Sequence, residues 1–384
     1  MSGDSLHVLT ITPFYPIVGD DAKGCFVAEP LRWLERLGVR HTVLAAQPFY
    51  RATHHSDPSA PLARTERFFA LPGGFGLPSS GLFLFAKMIN DVRRIHKADH
   101  IHLIHAHSAL PCGHAAALLA RELNIPFVVT VHGLDAYSTS QVKGIAGSWC
   151  QRISRMVYRS ACRVICVSEK VREQVVQGAA SPLRTTVIYN GVDPDVFTPE
   201  VGRELEVILS VGGLIPIKGH ELLIRAFAAI VERFPGYSCE LIGDGPEQKT
   251  LERLALQLKI AETVRFSGRQ SRAQVVEAMR RCAIFALPSR YEALGCVYLE
   301  AMSSGKPVVA CRGQGIEEVI RDGRDGYLVD TCSIEGLSNT LAGLLEDQAL
   351  RRCIGAAARQ TVASGFTLAH QAESLVQSYK ECAQ

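Results

Sequence analysis

The chain has 384 residues, 47% of them apolar and 21% charged, with a net charge of +3 and twelve scattered cysteines that form no CxxC pair. That length calls for two domains, and the composition is ordinary for a globular protein. No apolar run approaches the ~20 residues of a membrane span, and the positive excess is too small for a dedicated nucleic-acid binder.

The charge is unevenly placed. Residues 1–195 carry +5 and eleven of the thirteen histidines, while residues 196–384 carry −2. The two halves therefore meet different partners, and the first favours anions. The amino-terminal MSGDSLHVLTITPFYP has no basic stretch ahead of an apolar core, so no secretory leader is expected. The cysteines read as reduced, mostly buried thiols of a cytoplasmic protein.

In chain order, the first half alternates strand-like runs with helical patterns. HVLTI, HTVLAA, IHLIHA, FVVTV, RVICVS and TTVIY are the strands; FVAEPLRWLERLG, GHAAALLARELN and QRISRMVYRSA are helices between them. Strands apolar on both faces predict a buried parallel sheet. NGVDPDVFTPEVGRE breaks the rhythm as a linker, and the alternation restarts with EVILSVG, SCELIGDG, VRFSG, AIFALPS, PVVAC and GYLVD, again separated by helical segments. The expected fold is α/β, with two doubly wound Rossmann-like domains facing across a cleft. They are expected over residues 1–194 and 195–365, with a helix over 366–384 packing back on the first domain.

Polar residues at the carboxyl ends of strands are the candidate ligand groups. In SRYEALGCVYLEAMSSGKPVVA, Glu292 precedes a helix that begins near Leu294 to Cys296, and Glu300 lies inside it, roughly 10 Å further along the axis. Ala293 and Gly295 allow close approach to the helix amino end, where N–H groups and the dipole favour an anion. A ligand with hydroxyls at both ends and a diphosphate between them fits: Glu292 on sugar hydroxyls, Glu300 on a ribose. A solvated Glu beside a capping Glu is the plainer reading of the pair alone.

Other features extend the pattern. In SVGGLIPIKGH, Gly212 and Gly213 follow a strand and Lys218 stands at a helix mouth, placed to meet phosphate oxygens. GDGPE begins at Gly243, and FSGRQ contains Arg269. In the first half, Gly24 lies in the loop after the first strand, His107 ends HLIHAH, and His132 and Asp135 belong to HGLD. The three histidines of HLIHAH do not all share a face and no Cys or carboxylate completes a zinc set. DPD at Asp193–Asp195 falls in the linker and reads as turn chemistry. No metal or other cofactor is expected.

Taken together, HGLD, NGVD, VGGLIPIKGH, GDGPE, FSGR, the Glu292–Glu300 segment and GQGIEEVIRDGRDGYLV resemble, in order and spacing, the family 4 retaining glycosyltransferases of GT-B fold. Several motifs look most like bacterial surface-polysaccharide enzymes. The resemblance implies transfer of a sugar from a nucleotide diphosphosugar to a glycan or polyprenyl-linked acceptor, with retention of configuration. It implies Glu292, His132 and Lys218 at the reaction centre. Gly24, Gly212, Gly213, Gly243, Arg269, Ala293, Leu294, Gly295, Cys296 and Glu300 would lie on the donor, and His107 and Asp135 on the acceptor side. The family often carries an arginine where this chain has Gly213; Arg290 and Arg312 are candidate substitutes. A sugar-nucleotide epimerase and a non-catalytic nucleotide-sugar sensor remain open as alternatives. A dinucleotide oxidoreductase is disfavoured, because no G-x-G-x-x-G follows a strand.

Finally, Arg152, Arg155, Arg159 and Arg163 fall at helical spacing, with no acid between Asp135 and Glu169. They predict one basic stripe, read either as a solvated face or as a docking surface for anionic lipid at the inner face of a membrane.

Overall fold

A computed structural model describes residues 5–51, 58, 61–72, 74–137, 142–179, 184–200 and 204–383. The chain divides into two compact units, Met1–Asn190 with Leu368–Gln384, and Gly191–Thr367.

The first unit runs β1 (His7–Thr12), α1 (Cys25–Arg36), β2 (Arg40–Pro48), β3 (Ala63–Phe68), α2 (Leu77–Ala98), β4 (Leu103–His107), α3 (His114–Leu123), β5 (Phe127–Val131), α4 (Gly144–Ser160), β6 (Arg163–Cys166), α5 (Glu169–Gly178) and β7 (Thr185–Val187). Its sheet has the order β3-β2-β1-β4-β5-β6-β7 and every pairing is parallel. β1, β4 and β5 are buried throughout, as the continuous apolar runs require.

The second unit runs β8 (Val207–Val211), α6 (His220–Ala228), β9 (Ser238–Ile242), α7 (Gln248–Gln257), β10 (Val264–Gly268), α8 (Arg272–Arg281), β11 (Ile284–Ala286), α9 (Cys296–Ser303), β12 (Val308–Cys311), β13 (Tyr327–Val329), α10 (Ile334–Glu346) and α11 (Gln348–Gly365). Its parallel sheet has the order β10-β9-β8-β11-β12-β13. In each sheet successive strands wind outward in opposite directions from a central pair, β1/β4 and β8/β11. Those pairs are the switch points where α/β sheets open a ligand crevice.

The last helix, α12 (Leu368–Ala383), belongs to the first unit. Leu368, Ala372, Leu375, Val376, Tyr379 and Cys382 recur at helical spacing and are all buried, forming the apolar stripe of an amphipathic helix. Ala372, Leu375, Val376, Tyr379 and Cys382 pack in one core with Leu31 and Leu34 of α1 and with Val8, Leu103, Val128 and Ile165 of the sheet.

Two readings of the sequence are corrected. An edge strand, β3, occupies ARTERF, a segment too polar to suggest one; its Glu66 is buried and paired with Arg64. The arginine stripe also fails. α4 ends at Ser160 and Ala161 turns extended, so Arg163 starts β6 and pairs with Glu381. Arg155 turns inward to donate to the Gly178 carbonyl at 2.7 Å.

Candidate active site

In the second unit, Lys218 and Glu292 follow the two switch-point strands. A glycine seats the first of them. Gly219 has φ 72° and packs so closely on the Pro288 carbonyl that a Cβ would lie 2.1 Å from its oxygen. Only glycine meets both demands. The Arg290 amide then donates to the Ile217 carbonyl at 2.8 Å, locking the two loops together. The result is a two-oxygen contact: Lys218 Nζ lies 2.9 Å from Glu292 Oε1 and 2.7 Å from Oε2. Both side chains are largely buried, so each charge depends on the other.

The Glu292 backbone is clamped from a third loop. Its N–H donates to Gln314 Oε1 at 2.9 Å, and its carbonyl accepts from the Gly315 amide at 3.0 Å. A Cβ on Gly315 would lie 1.7 Å from the Ala293 oxygen. The GQG of GQGIEEVI thus grips Glu292.

Beyond Glu292, the segment Ala293–Cys296 turns into α9. Gly295 has φ 84°, and a Cβ there would strike the Tyr298 ring and the Glu292 side chain. Tyr298 is fully buried, and its hydroxyl donates to the Leu287 carbonyl at 2.7 Å, pinning α9 to the end of β11. Leu294 points into the core, so only its backbone is left for a ligand. Glu300 is buried, and its Oε1 takes a hydrogen bond from Arg272. The Arg272 guanidinium in turn lies 4.6 Å over the Phe197 ring. Glu300 is therefore a paired carboxylate rather than an isolated one.

Glycines lace the neighbouring strand ends. The Gly212 amide donates to Ile242 and the Gly243 amide to Gly268. Gly243, at φ 144°, sits where a Cβ would lie 2.0 Å from the Gly212 oxygen. Gly213 is more open, with only the Asp244 oxygen near. Arg269 reaches Asp244 at 3.4 Å on the exposed rim. Of the two candidate replacements for a base at Gly213, Arg312 pairs with Asp322 and Asp330, whereas Arg290 is exposed beside the Lys218 loop.

In the first unit the candidates cluster at the β1/β4 switch point. Gly24, φ 65°, opens α1 and lies against the Phe14–Tyr15 backbone, 2.4 Å from a built Cβ. His107 and His132 stack at 5.2 Å between ring centroids, with Nδ1 of the first 3.0 Å from Nε2 of the second. Phe14 and Phe26 flank His132 at 5.7 and 4.9 Å. Asp135 accepts the His132 backbone N–H at 2.9 Å, so it shapes the loop that carries the imidazole. Behind them His105 meets Tyr379 and Thr130, each at 2.7 Å.

Burial sets the protonation of this cluster. It pushes His41 down to about 4 and His105 down to about 3, with the neighbouring His132 and His41 adding to the shift. His107 falls well below its ordinary value and His132 is lowered, the Asp135 carboxylate opposing. The stack is neutral at pH 7, a set of hydrogen-bonding groups rather than cations.

Sequence spacing gave no hint of Gln314, Gly219, Arg272 or Tyr379 in these roles, because each acts through a partner distant in the chain. Among the described residues no group of three or more His, Cys, Asp and Glu is arranged to hold a metal, and no helix is long and apolar enough to cross a membrane.

Comparisons with known proteins agree with this architecture. Residues 26–196 match the family model described as Glycosyltransferase Family 4, and residues 196–361 match that of Glycosyl transferases group 1. An uncharacterized glycosyltransferase of Methanocaldococcus jannaschii is 31% identical over 264 residues, covering 68% of this chain and 71% of the relative. A D-inositol 3-phosphate glycosyltransferase of Mycolicibacterium smegmatis is 31% identical, covering 97% of this chain and 89% of its own length. The Anabaena protein HepE, solved in complex with UDP-glucose, superposes with a TM-score of 0.76 at 22% identity, over 98% of this chain and all of that one.

Proposed function

The chain belongs to family 4 of the GT-B glycosyltransferases, and from that premise we propose that it moves a hexosyl group from a nucleoside diphosphosugar to a glycan or lipid-linked acceptor, with retention of configuration. The observation that carries this reading is the Lys218–Glu292 pair at the β8/β11 switch point, a cation and a carboxylate held by three loops.

In this account the second unit binds the donor and the first binds the acceptor. Lys218 and the amino end of α9, through Ala293, Leu294, Gly295 and Cys296, take the diphosphate. That is the electrostatic task when the leaving group gains charge. Arg290 adds a second cation. Glu292 orients the sugar hydroxyls, Glu300 the ribose with Arg272 behind it, and Arg269 lies towards the base. Gly24, Gly212, Gly213 and Gly243 permit close backbone approach. His132, neutral, donates a hydrogen bond to the sugar, while His107 and Asp135 hold it in place on the acceptor side. As the bond from the anomeric carbon to the diphosphate breaks, the acceptor hydroxyl bonds to that carbon on the same face. Its proton passes to the departing phosphate oxygen. No metal is required.

The UDP-glucose held by the Anabaena neighbour supports a nucleotide-sugar donor. Free thiols at all twelve cysteines suit a cytoplasmic setting. The surface-polysaccharide motifs point to glycoconjugate synthesis at the inner face of a membrane. The test is a panel of UDP-, GDP-, ADP- and dTDP-sugars scored by thermal shift, then by release of nucleoside diphosphate with and without acceptor and by NMR of the product anomer. Acceptor-dependent release with an unchanged anomer is expected. Binding without release would make the chain a sensor, and interconversion of sugars without transfer an epimerase.

A further inference from the structure

We propose that the first unit carries a membrane-docking face built from the β3–α2 connection and the start of α4. The inference rests on the transfer reading and deepens it, by giving a lipid-linked acceptor a surface from which it is delivered.

The two units differ sharply in what they leave exposed. Among the described residues all six exposed aromatic side chains, Phe49, Tyr50, Phe69, Phe75, Phe83 and Trp149, belong to the first unit. They are not scattered. Phe69 stacks on Phe49 at 5.3 Å and meets Phe83 of α2 edge-on at 5.0 Å. Leu71 lies against Gly76, and the adjoining Gly74 lies against Val142 at the start of α4. Phe75, between those glycines, is 87% exposed; Ile145 and Trp149 on the first two turns of α4 are 85% and 61% exposed. Exposed aromatic and aliphatic side chains gathered in this way mark an interaction site.

Charge selects the occupant. The described segments that build the face, residues 49–51, 61–72, 74–87 and 142–152, hold six Lys and Arg against one acid. That acid, Glu66, is buried and paired with Arg64 and Lys87, and Arg64 also meets Asp91 of α2, so the rim charge rests on the remaining exposed bases. Arg51, Lys143 and Arg152 are exposed on the same segments. A second copy of the chain would bring basic rim against basic rim. Aromatic side chains within a basic border match the interfacial zone of an anionic bilayer. The arginines expected to form a stripe thus yield to a different surface, in which Arg152 alone of the four takes part.

Trp149 supplies the readout. In a Trp33→Phe background it is the sole tryptophan. Its emission should shift to the blue and be quenched by brominated acyl chains in vesicles of phosphatidylcholine mixed with phosphatidylglycerol, but not in phosphatidylcholine alone. Flotation with the same vesicles should weaken at least about tenfold on Phe75→Ser with Ile145→Ser, and about tenfold on Lys143→Glu with Arg152→Glu, with a matching loss at high salt. Absence of binding, equal binding to both lipids, wild-type binding by the Phe75/Ile145 variant, or a dimer that this variant dissociates would each overturn the proposal. Donor hydrolysis, read on the same samples, should be unchanged in that variant. Its absence in the wild-type chain would count against the transfer reading and leave the vesicle result standing.

Discussion

The two switch points are built on one plan and filled with opposite chemistry. At β8/β11 the candidate groups are charged and already matched: Lys218 with Glu292, Arg272 with Glu300. At β1/β4 they are imidazoles that burial keeps neutral, stacked on one another and packed against tilted and edge-on phenyl rings. Paired charges hold a site in shape without a ligand, and they offer a charged ligand an exchange of partners instead of a bare desolvated ion. A neutral stack suits hydroxyl chemistry. On the proposed reading the second unit meets both the diphosphate and, through Glu292, sugar hydroxyls, while the neutral stack of the first is suited to hydroxyls alone.

The sharpest way to break this contrast is acid. Unfolded histidines take up protons below about pH 6.5, while His41 and His105 do so in the folded chain only near 4 and 3. Acid therefore favours the unfolded state. The stability contributed by neutral burial is complete above pH 6.5 and drains away as pH falls towards 4, by about 2 kcal/mol per such histidine at pH 5. Hydrogen exchange should show the first unit loosening first, since the second holds one comparable histidine, His220. Equal loosening of both units would dissolve the comparison.

Next in size is Arg272→Ala. It leaves Glu300 buried without its cation, and chemical denaturation should show a loss of about 3–5 kcal/mol. Leu375→Ala, which opens a hole beneath α12 in the first-unit core, should cost about 2–4 kcal/mol without changing donor affinity. Gln314→Ala removes the acceptor for the Glu292 N–H; a roughly tenfold fall in kcat is expected from the loosened carboxylate, with nucleoside diphosphate binding unchanged. The smallest effect is Tyr379→Phe, about 1 kcal/mol for the hydrogen bond to His105.

The units also differ in how far their sequences announced them. All six strands of the second unit are short, mostly apolar runs with a glycine, proline or acid within two residues of their end, and each was readable. In the first unit β3 escaped notice, because an edge strand has one neighbour and tolerates Arg64, Glu66 and Arg67. The Glu292–Glu300 spacing showed two carboxylates near a helix start, yet not what they touch. Lys218 meets Glu292 across 74 residues of sequence and Arg272 meets Glu300 across 28. Pairings of that kind depend on strand order, which no local pattern encodes. The arginine stripe misled for a related reason: helical spacing persists in the sequence after Ser160, where the helix itself has ended.

The central claim is that Lys218 meets the diphosphate while Glu292 meets the sugar. Calorimetric titration of Lys218→Ala and Glu292→Gln, each with the nucleoside diphosphate alone and with its sugar conjugate, separates the two. The account predicts that Lys218→Ala weakens both ligands by roughly tenfold or more, whereas Glu292→Gln weakens only the conjugate. Wild-type affinity of Lys218→Ala for the nucleoside diphosphate would contradict it.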